Sequence, residues 1–160
     1  VIAVGATQYD ETRAPYSNYG PSLDIVSPGG NTSLDQNGDG YADGVLQQTF
    51  TKTGRIITWA YYFFQGTSMA APHVAGAAAL IKQAHPTWSV NQIKYALRNT
   101  AIDIAGDIRK KGHGRIDVLK AVLLDSPIIT LIQPFFTLVP SKDKLVLPLA
   151  LSPFAPRPTV

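Results

Sequence analysis

The sequence predicts an α/β domain. Short apolar runs closed by Gly or Pro fill the first thirty residues, as buried strands do. A pair of alternating or aromatic runs between 45 and 64 reads as a β-hairpin. At Ser68 the pattern changes abruptly to an Ala-rich helix followed by a second, well-capped one. Val1 to Val4, closed by Gly5, is the first predicted strand. Residues 10 to 22 are polar and carry Pro15, Asn18, Gly20 and Pro21, so they form a loop. Leu23-Asp24-Ile25-Val26 is a second short strand, stopped by Pro28-Gly29-Gly30. After an Asp-, Asn- and Gly-rich stretch from Asn31 to Gly44, the runs Val45 to Thr51 and Arg55 to Phe64 flank Thr53-Gly54, which supplies the hairpin turn.

The helical half follows. Ser68 to His85 is small and apolar nearly all the way round, which predicts a buried helix, and Pro86 follows its end. Ser89 to Asn99 is a second helix. Ser89 and Gln92 have capping-box spacing, Trp88 and Ile93 occupy the staple positions, and Val90, Ile93 and Leu97 share one face. A third helix is expected from Arg115 to about Leu124. From Ser126 onward prolines recur, which reads as a tail or linker.

Composition narrows the function. The 160 residues are 45% hydrophobic and 16% charged, enough apolar content for one core and too little charge for a disordered chain. With no cysteine there are no disulfides, thiolate nucleophiles or Cys-based zinc sites. The net charge of +3 is mild, and the longest basic run, Arg109-Lys110-Lys111, is a short solvated loop, so no nucleic-acid partner is expected. No apolar run reaches the roughly 18 residues of a membrane span. The longest, Pro127 to Pro140, is interrupted by Gln133 and Pro134.

The most informative stretch is Gly66-Thr67-Ser68-Met69-Ala70-Ala71-Pro72-His73-Val74-Ala75-Gly76. Ser68 stands where an aromatic strand hands over to a helix. Amides at a helix start are unpaired and point outward, so a nucleophilic hydroxyl there has its own N–H available for an oxyanion. Gly66 allows close backbone approach, and Pro72 is expected in the first turn, where a missing N–H is tolerated. A serine ahead of a helix also serves simply as an N-cap. His73 is five residues on, about 500° round the helix at about 100° per residue, and so is not placed to act as base to Ser68. His85, at a helix end, and His113, in a Gly-rich turn, read as structural. Met69 is a candidate oxidation point.

This eleven-residue string resembles the nucleophile signature of the subtilisin-like serine peptidases. Val1 to Ala6, Tyr16 to Pro21, Asp24 to Gly29, Leu80-Ile81, His85-Pro86, Ile93 to Thr100, Gly112 to Asp117 and Lys120-Ala121-Val122 resemble neighbouring segments of that family. The resemblance implies a mainly parallel sheet flanked by helices, of which this chain is the C-terminal part. Residues 1–125 then belong to the catalytic domain, 31–55 form a calcium-loop and hairpin insertion, and 126–160 are the tail. It further implies Ser68 as nucleophile, Thr67 as an auxiliary at the oxyanion site, protein or peptide substrates and a secreted location. The family's triad Asp and His and its oxyanion Asn precede the strand at which this chain opens. The missing N-terminal half of the domain is therefore an expected partner.

A second constellation is Asp35-Gln36-Asn37-Gly38-Asp39-Gly40-Tyr41-Ala42-Asp43. Oxygen side chains at relative positions 1, 3, 5 and 9, Gly at 6 and the Tyr41 carbonyl at 7 match the spacing of a calcium loop. The expected ligands are Asp35, Asn37, Asp39, Tyr41 and Asp43. Leu46 replaces the bidentate Glu of an EF-hand, and Asn-Gly and Asp-Gly are also ordinary turn dipeptides. The resemblance also implies a weaker cation site at the Val1 carbonyl and Asp24, half of which would lie upstream. Two rival functions remain: a non-catalytic subtilase relative, and a calcium-dependent binding module, which would carry two loop repeats where this chain has one.

Overall fold

The computed structural model describes residues 1–125. The expected tail at 126–160 lies outside the described residues. Strands β1 (Val4–Thr7) and β2 (Ile25–Pro28) pair in parallel, with Val4 opposite Ile25 and Thr7 opposite Pro28. Both lie two or three residues later than the apolar runs predicted. The apolar run marks burial, while the ladder is set by what can pair. On its free side β2 is bridged through Val26 to Arg115, and Arg115 is bridged in turn to Ile102. That use of Arg115 in extended backbone corrects the expected third helix. It begins only after Asp117, whose side chain accepts from the Lys120 N–H, and runs as α4 (Val118–Val122).

Helix α1 (Thr67–Ala84) packs on β1 and β2 and against α4 and α2 (Val90–Asn99). Its buried stripe is Ala70, Val74, Ala77 and Ile81, spaced 4, 3 and 4 residues. Of the helix expected to be buried all round, the described residues cover this stripe alone. Ala71, Ala75, Gly76, Ala79 and Leu80 are exposed on its other side. The capping box of α2 is present as predicted, with the Ser89 hydroxyl accepting from the Gln92 N–H and the Gln92 side chain accepting from the Ser89 N–H. Trp88 is 4% exposed and joins Ile25, Val74, Ile81, Leu97 and Ile116 in the main core, with Ile93 packed against it. His85 stacks on Trp88 with ring centroids 3.7 Å apart, and its Nε2 lies 2.8 Å from the Val122 carbonyl. Arg109 to Lys111, predicted as loop, form the single turn α3 (Ile108–Lys111) behind the Asp107 cap.

The hairpin consists of β3 (Val45–Thr53) and β4 (Ile56–Phe64), antiparallel, with Val45 opposite Phe64 and Thr53 opposite Ile56. Its strands correspond to the two runs, Val45 to Thr51 and Arg55 to Phe64, that the sequence predicts as a hairpin.

Candidate active site

The route from β4 to α1 positions Ser68. Gly66 is the N-cap, with φ 148° and ψ 163°, a conformation that glycine adopts without strain. A Cβ at Gly66 would also sit 3.0 Å from the Ser68 Oγ. The cap reading of Ser68 is not realised: the serine lies inside the helix, two residues beyond Gly66, and no side chain caps this end. The Gly66 carbonyl accepts from the Met69 and Ala70 N–H groups at 3.0 and 3.2 Å. Among the described residues, the N–H groups of Thr67 and Ser68 have no hydrogen-bond partner. Two amides at the positive end of an 18-residue helix therefore stand beside an exposed hydroxyl.

Pro72 is the sixth residue of α1 rather than part of its first turn, so the Ser68 carbonyl lacks its usual donor four residues on. The buried Ser27 hydroxyl donates to the Ala70 carbonyl at 2.7 Å and fastens this turn to β2. The Ser68 Oγ itself meets only the Met69 Sδ, at 3.5 Å, among the described residues. His73 turns its Nδ1 to the Met69 carbonyl at 2.8 Å and is not in contact with Ser68.

The segment ahead of Ser68 is clamped. The Gly66 N–H is shared between the Gly29 carbonyl at 2.9 Å and the Tyr16 hydroxyl at 3.1 Å, and that hydroxyl donates to the Gly30 carbonyl at 2.6 Å. Gly29 is required here, because a Cβ would come within 2.5 Å of the Ala6 Cβ and 2.8 Å of the Gly66 carbonyl oxygen. Tyr16 and Gln65 were not singled out by sequence reasoning. A lone tyrosine in a polar loop breaks no period and completes no spacing.

The acidic loop is curled as its glycines suggest. Asp35 accepts from the N–H groups of Gly38, Asp39 and Gly40 at 2.7, 3.1 and 2.9 Å. Asp39 accepts from the Tyr41 N–H and the Asn37 side-chain amide at 2.8 and 2.9 Å. Asp43 accepts from the Gln36 N–H. The Tyr41 ring stands 6.1 Å from that of Phe63 at the hairpin base. These oxygens suit a hard cation chemically. Yet each carboxylate is engaged with loop donors, and among the described residues no three His, Cys, Asp or Glu side chains converge as a metal site.

The weaker cation site is corrected. Lys94 donates to the Val1 carbonyl at 2.9 Å, and Arg98 pairs with Asp24, which also accepts from the Ala3 N–H at 2.8 Å. Burial pushes the Asp24 pKa up, but the Ala3 N–H, Arg98 and Lys94 outweigh it and hold the carboxyl below its ordinary value.

A model of the subtilase family matches residues 1–120. This chain belongs to the subtilase family. Alkaline elastase YaB of Bacillus sp. (strain YaB) is 41% identical to this subtilase chain over 116 residues, covering 72% of it and 25% of that protein. Subtilisin BL of Lederbergia lenta is 41% identical over 116 residues, covering 72% of this chain and 35% of that one. Among solved structures, a protease from Pseudoalteromonas arctica matches with a TM-score of 0.67 at 38% identity, over 76% of this chain and 35% of that chain. Fervidolysin from Fervidobacterium pennivorans matches with a TM-score of 0.59 at 26% identity, over 80% and 20%. The subtilase chain thus spans 20% to 35% of the length of these relatives, and its α/β architecture is subtilisin-like, as the resemblance implies.

Proposed function

We propose that this chain carries the nucleophile of a serine endopeptidase, with Ser68 forming the acyl-enzyme. The observation that carries the reading is the helix start itself, an exposed serine hydroxyl with the amides of Thr67 and Ser68 unpaired beside it. The Ser68 oxygen attacks the scissile carbonyl of a protein or peptide. Its proton passes to an imidazole, and the amine leaves with that proton. The developing oxyanion is met by the Ser68 N–H, with the Thr67 hydroxyl as an auxiliary donor. His73 and His85 are bonded to the Met69 and Val122 carbonyls. The base, the Asp that orients it and the oxyanion Asn are assigned to sequence upstream of Val1. This chain alone should then hydrolyse peptides poorly. In the full-length protein, Ser68→Ala should abolish casein hydrolysis, and retained hydrolysis would refute the assignment. Relatives such as the halolysin-like extracellular serine protease of Natrialba magadii support a secreted location.

Calcium is proposed at the Asp35 to Asp43 loop, with Asp35, Asn37, Asp39, the Tyr41 carbonyl and Asp43 as ligands. A bound ion would neutralise the loop's three carboxylates and stabilise the hairpin that follows. In the full-length protein calcium should raise the melting temperature relative to chelator, by about 2.7 kcal/mol of stability at a hundredfold excess over Kd. Asp39→Ala should lose that gain, and an equal gain in both proteins would place the ion elsewhere.

A further inference from the structure

Ser68 is fixed by a helix whose own start is held from outside. Gly66 is the pivot: its carbonyl begins α1, while its N–H reaches back to the Gly29–Thr32 loop. Two side chains hold that junction. Tyr16 bridges it, donating to the Gly30 carbonyl at 2.6 Å and accepting from the Gly66 N–H at 3.1 Å. One residue earlier, the Gln65 side-chain oxygen accepts from the Thr32 N–H at 2.6 Å and the Thr32 hydroxyl at 3.0 Å. The loop they grip is anchored in turn by the Thr7 carbonyl, which accepts from the Gly29 and Gly30 N–H groups at 2.9 and 3.1 Å. Burial pushes the Tyr16 pKa up, against a smaller opposing pull from the Gly66 N–H, so the phenol stays protonated as the bridge requires.

We propose that Tyr16 and Gln65 are positioning residues for Ser68, two side chains that lock the Gln65-Gly66 junction to the Gly29–Thr32 loop and so set where the nucleophile and its amide stand. The inference rests on the reading of Ser68 as nucleophile. Neither side chain touches the reacting atoms. The effect acts through the backbone of Gly66, two residues from the serine. Acyl transfer is sensitive to sub-ångström placement, so releasing one strut of a junction that keeps the Gly29–Gly66 hydrogen bond should slow acylation without unfolding the domain.

The experiment is the rate of acylation of the full-length protein by a serine-directed fluorophosphonate, followed to its end point, with steady-state peptide hydrolysis alongside. Tyr16→Phe removes one oxygen and should lower the acylation rate constant and kcat by up to about tenfold, well short of the roughly hundredfold that a 1 Å misplacement costs. KM should stay within about twofold, because uniform substrate binding is untouched. The labelled fraction at the end point should match the natural protein. Gln65→Ala should act in the same direction, and Gln65→Glu, which restores an acceptor for the Thr32 N–H, should recover the rate. Tyr19→Phe, the loss of an exposed phenol, should change nothing. A natural rate constant in Tyr16→Phe or in Gln65→Ala removes that residue from the role. So does a deficit confined to the labelled fraction, which marks folding rather than positioning. If Tyr16→Phe does not accumulate, the Gln65→Ala and Gln65→Glu pair decides. Labelling that survives in Ser68→Ala refutes the nucleophile reading, and a null result in the two struts alone leaves that reading standing.

Discussion

The parallel pair β1–β2 and the hairpin β3–β4 approach the same junction at Gly66, yet they use apolar residues in opposite ways. In β1 and β2 small and branched residues vanish into the interior: Ala6, Ile25, Val26 and Ser27 are fully buried, and α1 lies across them. In β3 and β4 every residue is half-buried or exposed, although this is the most aromatic part of the chain. Trp59 is 66% exposed and meets Phe50 edge-on at 5.2 Å. The pair β1–β2 is held by packing, with α1 across it. The hairpin holds its shape by ladder hydrogen bonds and cross-strand pairs, and a two-stranded ribbon so built is marginal by itself. Helix α1 takes its placement from the first region. Its stripe sits on β1 and β2, and the Ser27 and Gly29 contacts tie its first turns to β2 and the loop beyond.

The contrast can be tested by truncation. Ile81→Ala, at a fully buried position of the α1 stripe, should cost about 2–5 kcal/mol in denaturant unfolding of the full-length protein. A cost below 1 kcal/mol, on the order of an Ile→Val change, would mean that the α1 contacts do not carry the core.

Next in size is Asp24, which ties the start of β2 to Ala3 and, through Arg98, to α2. Asp24→Asn should cost about 1.5–3 kcal/mol, the range for hydrogen bonds to charged groups. The folded carboxyl has a lowered pKa. Its stabilisation is therefore present above the unfolded value of about 3.9 and lost as pH falls through the folded one. Denaturation midpoints between about pH 6 and about pH 2 should fall less steeply in Asp24→Asn than in the natural protein. Equal slopes would show that the carboxylate does not contribute.

Trp59→Ala should have the smallest effect, about 0.5–1.5 kcal/mol from the lost aromatic pair, and should leave peptide hydrolysis nearly unchanged. A loss as large as that of Ile81→Ala would erase the distinction between the two regions.

Sequence legibility follows the same division. The α2 cap was legible because Ser89 and Gln92 satisfy a local hydrogen-bond rule needing no tertiary partner. The hairpin was legible from the Thr53-Gly54 turn, and Gly54 has φ 61°. Strand limits were not, since the pairing of Val4 with Ile25 and of Val26 with Arg115 is decided by residues far apart in the chain. The Ala-rich helix overstated its burial among the described residues, because composition reports what a face could bury rather than what lies against it. At the candidate site Ser68 was legible from its motif. The clasp was not, because Tyr16 reaches Gly66 across fifty residues and Gln65 reaches Thr32 across 33.

We propose the framed serine, and no other residue of this chain, as the nucleophile. Reacting the full-length protein with a fluorophosphonate and mapping the adduct by peptide mass spectrometry tests it most directly. A single adduct is expected on the peptide that contains Ser68, absent after denaturation and absent in Ser68→Ala. An adduct on another residue of residues 1–125, or one that persists in Ser68→Ala, would contradict it.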